Sequence, residues 1–285
     1  MPEDSVISIE RDGQVATVWL DRPQARNAMG PAFFEELPDA MEELSSDRNV
    51  RAVVVAARGP DFSIGLDLKA MGGLLTQPAS SGSSSSADGA SRPPSMAARA
   101  VGAREGILRL QRSITSVADC PKPVIAAIHG YCLGGGVDLT SACDIRLASA
   151  DAVFSVRETR IAIVADLGSL QRLPRIIGSG HVAELAYTGK DITAARAKEI
   201  GLVNEVLSHA ADAQQAALSL ASEIAANSPI AVEGTKAVLR ACEDRSVADG
   251  LDYVATWNAG FLQSDDLVEA MTAFMAKRAP QFEGR

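Results

Sequence analysis

The sequence is poor in the residues that build metal and redox sites. Its 285 residues hold three histidines and four cysteines. His129, His181 and His209 lie far apart and no His-Glu-x-x-His occurs, so the helical two-histidine zinc pattern is missing. Cys120, Cys132, Cys143 and Cys242 form no Cys-x-x-Cys pair, and buried reduced thiols are expected, with no metal cofactor. Positive charge is also scarce. A formal net charge of -9 and a pI near 4.9 oppose attraction to nucleic-acid phosphates or an anionic membrane surface, and neither is expected as a partner. No stretch reaches the roughly 18 uninterrupted apolar residues of a membrane span. Met1–Glu10 is acidic without an apolar run, and the ending Phe282-Glu283-Gly284-Arg285 is not a peroxisomal tripeptide, so a cytoplasmic location is expected.

What the chain has is apolar bulk, 47% hydrophobic against 22% charged residues, which suffices for one large core. Val6–Glu10 and Val15–Leu20 alternate and are joined across Asp12-Gly13, a hairpin signal, because glycine tolerates the positive φ of such turns. Pro31 suits a first helical turn, and Phe33, Phe34, Leu37, Met41 and Leu44 follow at near-helical spacing; Pro38 is expected to bend or break that helix. Ala52–Ala57 and Val124–Ile128 read as buried strands. A helix is expected over Ala98–Ala118, with Val101, Ile107, Leu108, Ile114 and Val117 on one side. Short strands at Ile145–Leu147 and Val153–Ser155 continue a β-α alternation typical of α/β folds. Beyond Asp191 the pattern is mostly helical. Between Met71 and about Pro94 the composition collapses into Gly, Ser, Ala and Pro, which predicts a flexible insert within one core.

Two stretches carry candidate chemistry. His129 to Asp138 places Gly134-Gly135-Gly136 between a strand and an apolar run, where exposed backbone N–H groups at a helix start favour an anionic oxygen; tight packing alone also explains the glycines. No Gly-Lys-Ser/Thr and no Gly-x-Gly-x-x-Gly is present, which disfavours nucleotide phosphates. A second turn, Asp61 to Leu68, follows a Gly59-Pro60 break. Three acids stand out: Asp138 at the helix start, Glu158 after Val153–Val156, and Asp166 in an apolar setting. Each also has a plainer explanation. Asp138 could serve a helix dipole, Glu158 could pair with Arg157 or Arg160, and Asp166 could cap the next helix.

Taken jointly, Asp21-Arg22-Pro23 through Asn27-Ala28, Phe62-Ser63-x-Gly65-x-Asp67 and His129-Gly130 through Gly136 with Cys143-Asp144 resemble the enoyl-CoA hydratase/isomerase, or crotonase, family over about residues 5–280. That resemblance implies an α/β fold with a ββα spiral core over 1–205, an insert at 72–97 and a helical trimerisation region over 206–285. It implies homotrimers or homohexamers, an acyl-CoA thioester substrate whose coenzyme A belongs to the substrate, and a place in fatty-acid β-oxidation. It further implies an oxyanion hole from the N–H groups of Ile64 and Gly135, with Ser63, Ile64, Gly65, Leu66 and Asp67 lying along the acyl-CoA. Ile64 stands where the family has a small alanine, which bears on pocket size.

Hydratases of the family carry glutamates at the positions of Asp138 and Glu158. The chain instead resembles the family's dienoyl-CoA isomerases, with Asp138, Glu158 and Asp166 as the catalytic set and similar flanking strings at Cys120–Ala127, Ala165–Pro174 and Tyr253–Asn258. The implied reaction moves a proton from C2 to C6 of a 3,5-dienoyl-CoA. Glu158 and Asp166 would act as base and acid, and Asp138 would orient water or tune their protonation. An enoyl-CoA hydratase or simpler isomerase is the second reading, and a non-catalytic acyl-CoA-binding scaffold the third.

Overall fold

The computed structural model describes residues 5–72 and 95–285. Of the expected insert at 72–97 only the ends are described, and Met96 and Ala97 already belong to a helix; the rest lies outside the described residues.

Strands β1 (Ile7–Asp12) and β2 (Val15–Leu20) form the expected hairpin, with Asp12 opposite Val15 at its tight end. β2 then pairs in parallel with β3 (Ala52–Ala57), β3 with β4 (Val124–Ile128), β4 with β6 (Ile145–Ser149) and β6 with β9 (Glu205–Leu207), giving a six-stranded sheet. β5 (Tyr131–Leu133), β7 (Val153–Ser155) and β8 (Ile192–Thr193) make a second, three-stranded sheet. Every residue of β3 and β4 is buried. Their side chains divide by the two-residue period: Val53, Val55 and Ala57 join one core, and Ala52, Val54 and Ala56 the other. The second core is closed by a helix of Ala210–Ala225, whose Ala217, Ala221 and Ala225 recur every four residues and lay a small-residue stripe on the sheet.

Helix α1 (Pro31–Ser46) runs through Pro38 without the break that was one of the two expected outcomes. A proline at 38 cannot donate to the carbonyl of Phe34, but the buried Ser113 hydroxyl does so from α2 (Met96–Asp119), so no buried acceptor is left orphaned. α2 buries Gly106, Ser113, Ile114 and Val117, whereas Val101, Ile107 and Leu108, expected on the same apolar side, are exposed. After β5 come α3 (Gly135–Ala142), α4 (Ser169–Ile177), α5 (Ser179–Thr188), α6 (Ala194–Glu199) and α7, the Ala210–Ala225 helix, then α8 (Pro229–Ala241), α9 (Val247–Phe261) and α10 (Asp265–Ala276). The four cysteines are free; Cys120, Cys132 and Cys143 are buried and Cys242 half-buried. The Cys143-Asp144 motif proves architectural: Asp144 accepts the Val124 N–H at 2.7 Å and the Lys236 ammonium at 2.6 Å, fastening α8 to the sheet.

Candidate active site

The two turns singled out in the sequence meet. Phe62 donates to the His129 carbonyl, Ser63 to that of Tyr131, and Leu133 back to Ser63, so Asp61–Ser63 runs as an extra strand beside β5. On its other side Met29 donates to the Gly65 carbonyl and Asp67 to that of Met29. Asn27 clamps this junction. Its Nδ2 donates to the Arg58 and Asp61 carbonyls, its Oδ1 accepts from the Arg22 N–H, and its own carbonyl takes the Ser63 hydroxyl at 2.7 Å. The Asp21-to-Asn27 and Ser63-to-Asp67 motifs are therefore one structural unit. Asp67 serves it too, accepting from the Ala70 N–H and from Arg22 at 2.7 Å, and those bonds lower its proton affinity.

Gly135 opens α3, and among the described residues its N–H meets no acceptor. Gly65, at φ 85°, keeps the space beside it clear: a Cβ there would lie 3.3 Å from the Gly135 nitrogen and 2.7 Å from the Leu133 carbonyl oxygen. The other expected donor is differently placed. The Ile64 N–H donates to the Arg26 carbonyl at 3.2 Å, a long bond made where Arg26 and Asn27 both adopt positive φ. The Ile64 side chain is half-buried and Leu66 is half-buried beside it.

The three acids converge, although they arise from α3, from the 3-10 turn Glu158–Ile161 and from the loop before α4. Asp138 is buried, and its Oδ1 accepts the Ser169 N–H at 2.6 Å. It thereby caps α4 in place of Asp166. Glu158 is not in an ion pair with its neighbouring arginines: Arg157 reaches Asp191 at 2.6 Å, and Arg160 turns to the Thr188 carbonyl. Glu158 Oε1 instead lies 3.2 Å from where a Cβ on Gly134 would stand, and Oε2 is buried with no hydrogen-bond partner. Asp166 is half-buried, and Gln111 of α2 holds its backbone carbonyl at 2.7 Å.

Burial pushes all three carboxyls up. Glu158 reaches about 7, through burial first and then the charges of Asp138 and Asp166; Asp138 reaches about 6, through burial opposed by the Ser169 N–H; Asp166 is raised by burial. Carboxyls tuned toward neutral pH can give and take protons from carbon. Glu158 feels the charges of Asp138 and Asp166, and Asp138 that of Asp166, so their titrations are linked. Sequence reasoning did not single out Gln111, Ser169 or Arg172, which support the loop from other elements; the signal for Ser169 and Arg172 lay inside the Ala165–Pro174 string.

The enoyl-CoA hydratase/isomerase family profile matches residues 10–91 and 95–285. A peroxisomal Δ(3,5)-Δ(2,4)-dienoyl-CoA isomerase of Arabidopsis thaliana is 43% identical over 97% of this chain and 95% of its own. The mitochondrial enzyme of that name from Mus musculus is 43% identical over 93% of this chain and 77% of its own. Among solved structures, an enoyl-CoA hydratase from Bacillus anthracis superposes with a TM-score of 0.85 at 32% identity, covering 98% of this chain and 100% of the other. These names overturn the cytoplasmic expectation, since the similar isomerases are named for peroxisomes and mitochondria.

Proposed function

Because the chain belongs to the enoyl-CoA hydratase/isomerase family, we propose that it is a dienoyl-CoA isomerase converting 3,5-dienoyl-CoA to 2,4-dienoyl-CoA. One observation carries this reading above hydration. Three buried or half-buried carboxyls, Asp138, Glu158 and Asp166, share one site, and all are raised toward neutral pH.

The thioester oxygen accepts the Gly135 N–H, with the Ile64 N–H turning from its long bond to Arg26 as second donor. Donors fixed in a dry site stabilise the enolate oxygen, and losing one typically costs roughly 10²–10³ in rate. Glu158 serves C2, because it lies against Gly134, next to the donor that holds the carbonyl one bond away. Ionised Glu158 takes the C2 proton, the C–H electrons enter the thioester carbonyl, and a conjugated trienolate forms. As the carbonyl re-forms, double bonds settle at C2=C3 and C4=C5, and C6 takes the proton of neutral Asp166. The step is redox-neutral and needs no cofactor beyond the substrate's own coenzyme A. Asp138, held by Ser169, sets how many protons the trio carries. Ser63 and Asp67 brace the strip along the acyl-CoA, and Gly65 and Leu66 line it.

Hydration is disfavoured because Asp138 is a short acid with one oxygen already committed to an amide. Exposure supports a homo-oligomer. α9 and α10 show Leu251, Val268, Met271, Phe274 and Met275 to solvent, with Phe274 83% and Met275 81% exposed, an apolar face suited to burial in a homotrimer or hexamer. Turnover in deuterium oxide tests the chemistry: one deuteron at C6 of a 2,4-dienoyl-CoA supports it, and a hydroxyl at C3 refutes it.

A further inference from the structure

Arg172 lies in the first turns of α4 and lines a cavity of about 730 Å³ whose wall also includes Asp166, Gly168, Gln111 and Thr115. Its guanidinium lies over Gly168, whose φ of 126° suits glycine and whose missing Cβ leaves that space to the arginine. Nη1 donates to the Leu167 carbonyl at 3.3 Å and Nη2 to the Thr115 hydroxyl at 3.2 Å. Together with the Gln111 bond to the Asp166 carbonyl and the Ser169 bond to Asp138, every residue from Asp166 to Ser169 is held.

The charges around Arg172 are already spoken for, with one exception. Asp119 at the end of α2 pairs with Arg240 of α8 at 2.6 Å, and Glu243 pairs with Arg175 at 3.8 Å. Asp144 pairs with Lys236, and Arg146 is held by the carbonyls of Thr140, Cys143 and Leu202. Among the described residues Arg172 makes no ion pair of its own, although it is half-buried. Burial lowers its proton affinity, and the charge of Asp138 is the largest influence raising it. A half-buried cation without a private partner draws on an uncompensated anion, and of the three acids it is Asp138 that shares an influence with Arg172.

We propose that Arg172 is a positioning residue of this site: its guanidinium fixes the Asp166–Gly168 turn and supplies the counter-charge to Asp138. It touches no reacting atom. With the cation in place Asp138 stays ionised at working pH, and the mobile proton stays on Glu158 and Asp166. This rests on the dienoyl-CoA isomerase reading, but one of its readouts does not.

The test is Arg172→Met beside Arg172→Lys, with kcat and KM for a 3,5-dienoyl-CoA followed against pH. In Arg172→Met, kcat falls while KM stays near that of the parent, and the acid limb of the kcat profile moves up by about one pH unit as the trio binds its protons more tightly. Arg172→Lys returns the limb toward its original pH but recovers kcat only in part, because an ammonium lacks the fork that reaches both Leu167 and Thr115. Millimolar guanidinium added to Arg172→Ala restores both. An unmoved limb in a folded Arg172→Met, or identical profiles for Met and Lys, overturns the proposal. Should Arg172→Met not fold, Arg172→Lys decides alone: lowered kcat with an unmoved limb supports the proposal, and parental kcat refutes it. Infrared titration of the protonated carboxyls in free enzyme reads the same shift without turnover, so a failed activity reading and a failed role for Arg172 are told apart.

Discussion

Asp138 Oδ1 accepts the backbone N–H of Ser169 at 2.6 Å, so a carboxylate in the first turn of α3 caps the start of α4. The N-cap of α4 is Gly168, which has no side chain to offer. The bond joins stability to the candidate site, because the same carboxylate is one of the three that burial pushes up. Asp138→Ala strips the cap and leaves a buried amide unsatisfied, costing about 1–2 kcal/mol in denaturant unfolding. Asp138→Asn keeps an acceptor, so it is expected to fold near-normally while isomerisation drops. Equal stability losses for Ala and Asn would contradict this.

Glu158 makes stability depend on pH. Its folded proton affinity, about 7 against the ordinary 4.5, exceeds that of the unfolded chain, so the folded state binds the extra proton and stability falls as pH climbs from 4.5 through about 7. Glu158→Gln never ionises. Its stability relative to the parent should therefore rise between pH 4 and pH 8, by about 1–3 kcal/mol. Urea unfolding at the two pH values measures it, and a flat difference would show that Glu158 is not raised.

Asp166→Asn removes the proton proposed for C6 while leaving the Gln111 bond to its backbone intact. Isomerisation is expected to fall by roughly 10²–10⁴ with acyl-CoA binding retained. Unchanged turnover would remove Asp166 from the mechanism.

Ser113 and Pro38 form a compensating pair. Ser113→Ala leaves the Phe34 carbonyl without its donor and should cost about 1–3 kcal/mol. Pro38→Ala returns an N–H one turn below that carbonyl, so in the double variant the loss from Ser113→Ala shrinks. Additive losses in thermal unfolding would rule the compensation out.

The same pair shows where the sequence was legible and where it was not. β3, β4 and β7 appear at the bounds read from it, because short apolar runs between turn residues have few other ways to be buried. The continuity of α1 was not legible, since its rescue comes from a residue 79 positions away. β5, β8 and β9 are two or three residues long and take their form from pairing, not from any periodicity of their own. In the candidate site, Asp138, Glu158, Asp166 and Gly135 all stand in motifs that the sequence displays. That Ile64 donates to Arg26, that Asp138 caps α4, and that Arg157 abandons Glu158 for Asp191 all depend on where distant loops come to rest.

The central claim is that these acids isomerise a dienoyl-CoA in preference to hydrating an enoyl-CoA, and one paired assay tests it most directly. Purified protein is mixed separately with a 3,5-dienoyl-CoA and a 2-enoyl-CoA, and conjugated-diene absorbance and hydration are followed in parallel. The account predicts 2,4-dienoyl-CoA forming from the first, with the second left largely unchanged. Hydration of the 2-enoyl-CoA without diene formation from the other would contradict it.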